Sequence, residues 1–149
     1  MNMFKKTLIV TAVSSLITGH ALASNLDSDS ATVSMSVAQY AALTGLDDFV
    51  LSTTDTDGAA GSVYSGSDSF NLESNAQVRV SLSGGDLSNG TDSVSTSYSL
   101  DGSGTTFDTT ADSVHNASHS VAASATLGAI SAQKAGSYSA VITLTVAAL

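Results

Sequence analysis

Residues 136–149 read GSYSAVITLTVAAL, and the spacing of their apolar side chains sets the fold class. Tyr138, Ala140, Ile142, Leu144 and Val146 fall on one face of an extended chain, with Ser139, Val141, Thr143 and Thr145 on the other. A period of two belongs to a strand, because successive side chains of a pleated backbone point to opposite sides. The same period recurs upstream. NAQVRVSLSGG alternates Val78, Val80 and Leu82 with Gln77, Arg79 and Ser81, and SDSFNLE turns Phe70 and Leu72 inward. DSVSTSYSLDGSGTTF keeps Val94, Tyr98 and Leu100 in phase, SVAASATLGAI does so for Val121, Ala123, Ala125 and Leu127, and DDFVLS for Phe49 and Leu51. Between these runs stand Gly84-Gly85 and Asn89-Gly90, pairs suited to positive φ in tight turns. TTDTDGAAGS and DTTADSVHNAS read as loops, and VAQYAALTG as a single helical turn. Six or seven short strands without an amphipathic helix predict an all-β antiparallel sandwich. No repeat of fixed length points to a propeller or a β-helix.

The N-terminus follows a different logic. MNMFKKTLIVTAVSSLITGHALA carries Lys5 and Lys6, then a mostly apolar run from Thr7 to Thr18, then Ala21-Leu22-Ala23. That order is the layout of a secretory signal peptide cleaved after Ala23. The apolar run is short for a membrane span and is interrupted by Ser14 and Ser15. The mature chain is therefore expected to be secreted, at the cell surface or outside the cell, without a membrane span.

The formal net charge of the full chain is −9, and losing Lys5 and Lys6 with the leader lowers it by two, to −11. Only Arg79 and Lys134 then face 13 acids, a surface that repels phosphate backbones and argues against nucleic acid as a partner. With no cysteine, thiol chemistry, thiolate metal sites and disulfides are excluded, so strand pairing, packing or assembly must hold the domain. Trp and Pro are absent too. The first removes a common sugar-stacking platform, which Tyr could replace; the second removes a common guard against edge-to-edge strand pairing.

Motifs for catalysis do not emerge. The chain has no GxSxG, no HExxH and no phosphate-binding loop, and isolated serines near acids carry no information in so serine-rich a sequence. No cofactor is called for, and the expectation is a non-enzymatic protein. Asp55-Thr56-Asp57-Gly58 is similar to part of a calcium loop, with Asp55 and Asp57 as candidate ligands. An EF-hand ending in that glycine would, however, need an acid at Thr53 and a glutamate at Tyr64. His115 and His119 stand four apart in HNASH, a metal-binding spacing on a helix, but the segment has no helical pattern. Asn89-Gly90-Thr91 and Asn116-Ala117-Ser118 match glycosylation sequons, short enough to arise by chance.

One strand lacks a local partner. In SATVSMSVAQY, Val33, Met35 and Val37 alternate with Ser34 and Ser36, yet no tight turn follows to fold the segment onto a neighbour. It either pairs within its own sheet or is given to another molecule. The export layout, the alternating ATVSMSV and the closing AGSYSAVITLTV together resemble bacterial pilin and biofilm-fibre subunits that polymerise by donor-strand exchange. Gly136 lies fourteenth from the C-terminus, where chaperone–usher pilins often carry a glycine, while Ala148 takes the place of their penultimate tyrosine. The resemblance implies an incomplete immunoglobulin-like sandwich (a jelly-roll-like one is the alternative) whose groove is filled by the N-terminal extension of the next subunit. On that division, residues 1–23 are the leader, 24–38 the extension and 39–149 the sandwich. Val33, Met35 and Val37 form the donor face, and the acceptor groove or core draws on Val78, Val80, Leu82, Tyr138, Ile142, Leu144 and Val146. The partner is a second copy, head to tail. The other reading is a secreted monomeric sandwich that binds carbohydrate or calcium through Asp55, Asp57, Tyr64 and Tyr98.

Overall fold

The computed structural model describes residues 27–55 and 57–149, so the predicted leader lies outside the described residues. The chain divides into two units between Met35 and Ser36, and every strand among the described residues belongs to the second. Its elements in chain order are β1 (Ala41–Thr44), β2 (Val63–Ser74), β3 (Val78–Gly84), β4 (Leu87–Ser88), β5 (Ser93–Val94), β6 (Thr96–Leu100), β7 (Thr106–Asp108), β8 (His115–Thr126), a 3-10 turn at Ile130–Ala132, and β9 (Ile142–Ala148). All pairings between strands are antiparallel.

A four-stranded sheet runs β1-β2-β8-β6, a three-stranded sheet runs β7-β3-β9, and β4-β5 form a small ribbon. The core lies between the two larger sheets. Phe70 and Leu72 of β2, Leu100 of β6 and Val121 of β8 meet Val78, Val80 and Leu82 of β3, all buried. β2, β3 and β8 bury alternate residues, as the period of two requires, so the all-β sandwich expected from the sequence is the fold.

Where the elements depart from the sequence reading, tertiary pairing is the cause. Ala41–Thr44 is a strand and not a helical turn, because it pairs in register with the end of β2, Ala41 opposite Ser74 and Thr44 opposite Asn71. The HNASH segment is not a loop: β8 starts at His115, since β2 continues to Ser74 and that residue pairs with His115. The strand expected from Gly136 begins only at Ile142, opposite the last residue of β3, Gly84. Upstream of it, Ser139 is held instead by a bridge to Ser88 of the ribbon. The run from Val94 to Leu100 is broken at Ser95, where side chains replace sheet partners: Thr96 N–H donates to the Asp86 carboxylate, and the Thr96 hydroxyl donates to Val94 O. No residue from Asp27 to Tyr40 is in a strand. DDFVLS keeps only one bridge, Ser52 to Ser65.

Candidate functional site

The last strand occupies an edge. In β3 the even-numbered residues bond toward β7: Leu82 N–H donates to Thr105 O, and Thr109 N–H donates to Val78 O. Val80 stands directly opposite Val146, and Leu82 opposite Leu144. Those must be the non-bonded pairs of the β3–β9 ladder, as the bond from Leu149 N–H to Gln77 O also requires. The N–H and C=O groups of Ile142, Leu144 and Val146 therefore point away from β3, along an edge to which no other described strand is paired, although β1 packs near it. Their side chains face the core yet stay half-buried, whereas Val78, Val80 and Leu82 on the neighbouring strand are sealed.

Beside the start of this strand opens a groove of about 1050 Å³. Its floor is the inner face of the four-stranded sheet, Tyr64, Tyr98, Ala123 and Ala125. One wall is the segment Leu46–Leu51, which presents Leu46, Phe49 and Leu51. Asp47 N–H donates to the Asp68 carboxylate at 2.7 Å, and the Ser52–Ser65 bridge holds the segment's far end. The wall lies so close to β2 that a Cβ on Gly66 would sit 2.5 Å from Val50 O, which is why glycine stands there. The opposite wall is Ser137–Ile142 with Leu87 and Val94 of the ribbon. Gly84 leaves room for the Tyr98 ring against Ile142, and the Tyr98 hydroxyl donates to Gly85 O at 2.6 Å. Burial, and the nearby Asp86 charge, raise that phenol above its ordinary pKa, so it stays a neutral donor.

Of the residues singled out from sequence, Tyr138 and Ile142 line this groove, as do Tyr64 and Tyr98. Leu144 and Val146 flank it on the edge strand, and Val78, Val80 and Leu82 form the core behind it. Val33, Met35 and Val37 are 95 %, 87 % and 73 % exposed. Asp55 and Asp57 are exposed; the Asp57 carboxylate accepts from Ala59 N–H, whereas the bond at Asp55 is from its backbone N–H to the Thr53 hydroxyl. His115 and His119 share one face of β8, where four residues span roughly 13 Å, too far to grip one ion. Among the described residues no cluster of three or more His, Cys, Asp or Glu could hold a metal, and no helix is long and apolar enough to cross a membrane.

Sequence reasoning missed two contributors. The alternation in DDFVLS points to a strand with Phe49 and Leu51 on one face, and gives no role to Leu46, yet Leu46–Leu51 forms a wall of the groove. Asn75, in the turn between β2 and β3, gave no signal at all. Its N–H donates to Tyr40 O at 3.1 Å, its Oδ1 accepts from Tyr40 N–H at 2.7 Å, and its Nδ2 donates to Ala38 O at 2.9 Å. No protein-family model matches the chain, and no curated protein matches it in sequence.

Proposed function

We propose that the mature chain is a secreted structural subunit of an extracellular filament, joined head to tail by strand addition. Residues 31–38 of one copy lie along β9 of the next, with Val33, Met35 and Val37 turned toward the groove. The observation that carries this reading is the unpaired edge of β9. ITLTVAA has no charge and no proline, its outward peptide groups lack a strand partner, and its core-facing side chains are incompletely covered. A strand laid there satisfies the backbone groups and closes the core at once. The candidate occupant is equally uncharged, is in no strand, and exposes three apolar residues at alternate positions. Burying them contributes roughly 1.5–3 kcal/mol apiece, before the cost of association. Because donor and acceptor are different surfaces, the contact does not close on itself and repeats into a fibre.

The test is assembly of purified mature protein, followed by light scattering and electron microscopy. Val33→Asp with Val37→Asp should abolish filaments, since an unpaired charge in an apolar groove costs several kcal/mol. Ser34→Asp should assemble normally. A variant lacking residues 24–38 should be monomeric and should bind a synthetic peptide of that stretch with a rise in Tm. Filaments from the deletion variant, or no response to the peptide, would sink the proposal.

A further inference from the structure

A donor segment tethered to the domain that carries its acceptor groove faces a competitor: itself. Tethering gives an effective concentration of about millimolar, far above that of free subunits, so self-insertion wins unless geometry forbids it. The hydrogen bonds of Asn75 supply that geometry. We propose that Asn75 is a positioning residue that holds Ala38–Tyr40 in line with β1, so that the extension is given to a second copy and not folded into its own groove. This rests on the strand-addition reading above.

The argument starts from register. β1 begins at Ala41 opposite Ser74, and Tyr40 continues it opposite Asn75, whose N–H donates to Tyr40 O. A strand neighbour would also offer its carbonyl to Tyr40 N–H, but here the Asn75 side-chain oxygen does so. Its amide nitrogen then donates to Ala38 O. One side-chain amide thus imitates the next peptide of β2, after the main chain has turned toward β3. The buried Ser74 hydroxyl adds a further bond to Tyr40 O.

Self-insertion needs the opposite shape. β9 ends at Ala148, opposite Val78, at the same end of the sandwich as the Ser74–Asn75 turn. For residues 31–37 to lie along β9 of their own molecule, the chain must reverse before entering β1. Only residues 38–40 are available, a tight reversal takes about two of them, and Ala38 and Tyr40 are both bonded to the Asn75 side chain. Moving the reversal toward the N-terminus would take Val37 out of the donor face. Either the clamp breaks or the donor loses an anchor.

Asn75 is exposed, so Asn75→Ala removes the clamp without opening a cavity. At about 10 μM subunit, the variant should assemble about a hundredfold more slowly than the unaltered protein and accumulate as monomer, its own extension occupying the groove. That monomer should refuse the 24–38 peptide, while the same substitution in the deletion variant should bind it as the deletion alone does. A second variant leaves Asn75 in place and inserts two glycines between Ala38 and Gln39, which should give the same closed monomer. Assembly of either variant at the unaltered rate overturns the clamp and leaves strand addition standing. Failure of the plain deletion variant to bind peptide overturns strand addition itself, and the clamp with it.

Discussion

Asp101 adopts φ 46°, a left-handed conformation that few residues other than glycine take up. Its carboxylate accounts for the placement. One oxygen accepts from Ser120 N–H at 2.8 Å, and the other lies 2.7 Å from His119 Nδ1, which must donate because a carboxylate only accepts. The His119 ring stacks between Phe70 and Phe107, at centroid distances of 5.6 and 4.4 Å, and so ties the two sheets together. Burial pushes the Asp101 carboxyl up, but the bonds from Ser120 and His119 outweigh it and hold its pKa below the ordinary value. A carboxyl lowered in the folded state stabilises the fold above its unfolded pKa, about 3.9, and that contribution fades as pH falls through the folded value. Asn tolerates the same backbone and still accepts from Ser120, so Asp101→Asn removes the charge together with the bond that Oδ2 accepts from His119. The side chain is 46 % exposed, so screening reduces the effect. The variant should lose about 0.5–1 kcal/mol at pH 7 and match the unaltered protein near pH 2, as read by urea denaturation at both pH values. An equal deficit at both pH values would show that ionisation of Asp101 has no part in it.

The two edges of the three-stranded sheet differ as elements. β7 is three residues long, and its Asp108 is gripped by Arg79 through two bonds of 2.7 and 2.8 Å. The hydrogen bond from Arg79 lowers the Asp108 pKa and raises its own, so the pair stays charged across the neutral range. A short, charged edge discourages a further strand. β9 is seven residues long and carries no such device. Because the Val146 N–H points outward, proline there removes no bond to β3, only the donor offered to an incoming strand. Val146→Pro should keep the fold, with a Tm near that of Val146→Ala, and should stop assembly, while Val146→Ala still assembles. Filaments from the proline variant would mean that the incoming strand docks elsewhere.

At the scale of the molecule, cleavage after Ala23 would leave a charge of −11 with two cations, and subunits of the proposed filament would repel one another. The proposed junction, residues 31–38 on Ile142–Ala148, is uncharged, so this repulsion would act on encounter rather than on the docked contact. Raising salt from about 10 to about 150 mM shortens the screening length from about 30 to about 8 Å. Assembly should then begin sooner, with little change in the salt dependence of dissociation. The lag in light scattering and dilution-induced disassembly measure the two separately. Slower assembly in salt would point to an ionic junction instead.

Alternation alone determined the fold class, because a period of two leaves a chain one way to bury its apolar side: Phe70 and Leu72, Val78 to Leu82, Val121 to Ala125 were all legible as inward faces, and all are buried. Composition likewise removed thiol chemistry. What alternation cannot carry is the partner. Ile142–Ala148 and Val78–Gly84 have the same pattern, yet β3 sits between two strands and is sealed, while β9 has one neighbour and leaves its outward peptide groups open. His115 and His119 entered a strand because the far end of β2 needed a partner, and Ala41–Thr44 did so for the same reason. Asn75 is one polar residue among many until folding brings it to Ala38 and Tyr40, 37 and 35 positions away. A side-chain pattern reports which face of a segment prefers to leave water. Which strand stands at an edge, and which amide takes the place of a missing peptide, depends on contacts between distant residues that exist only once the chain has closed.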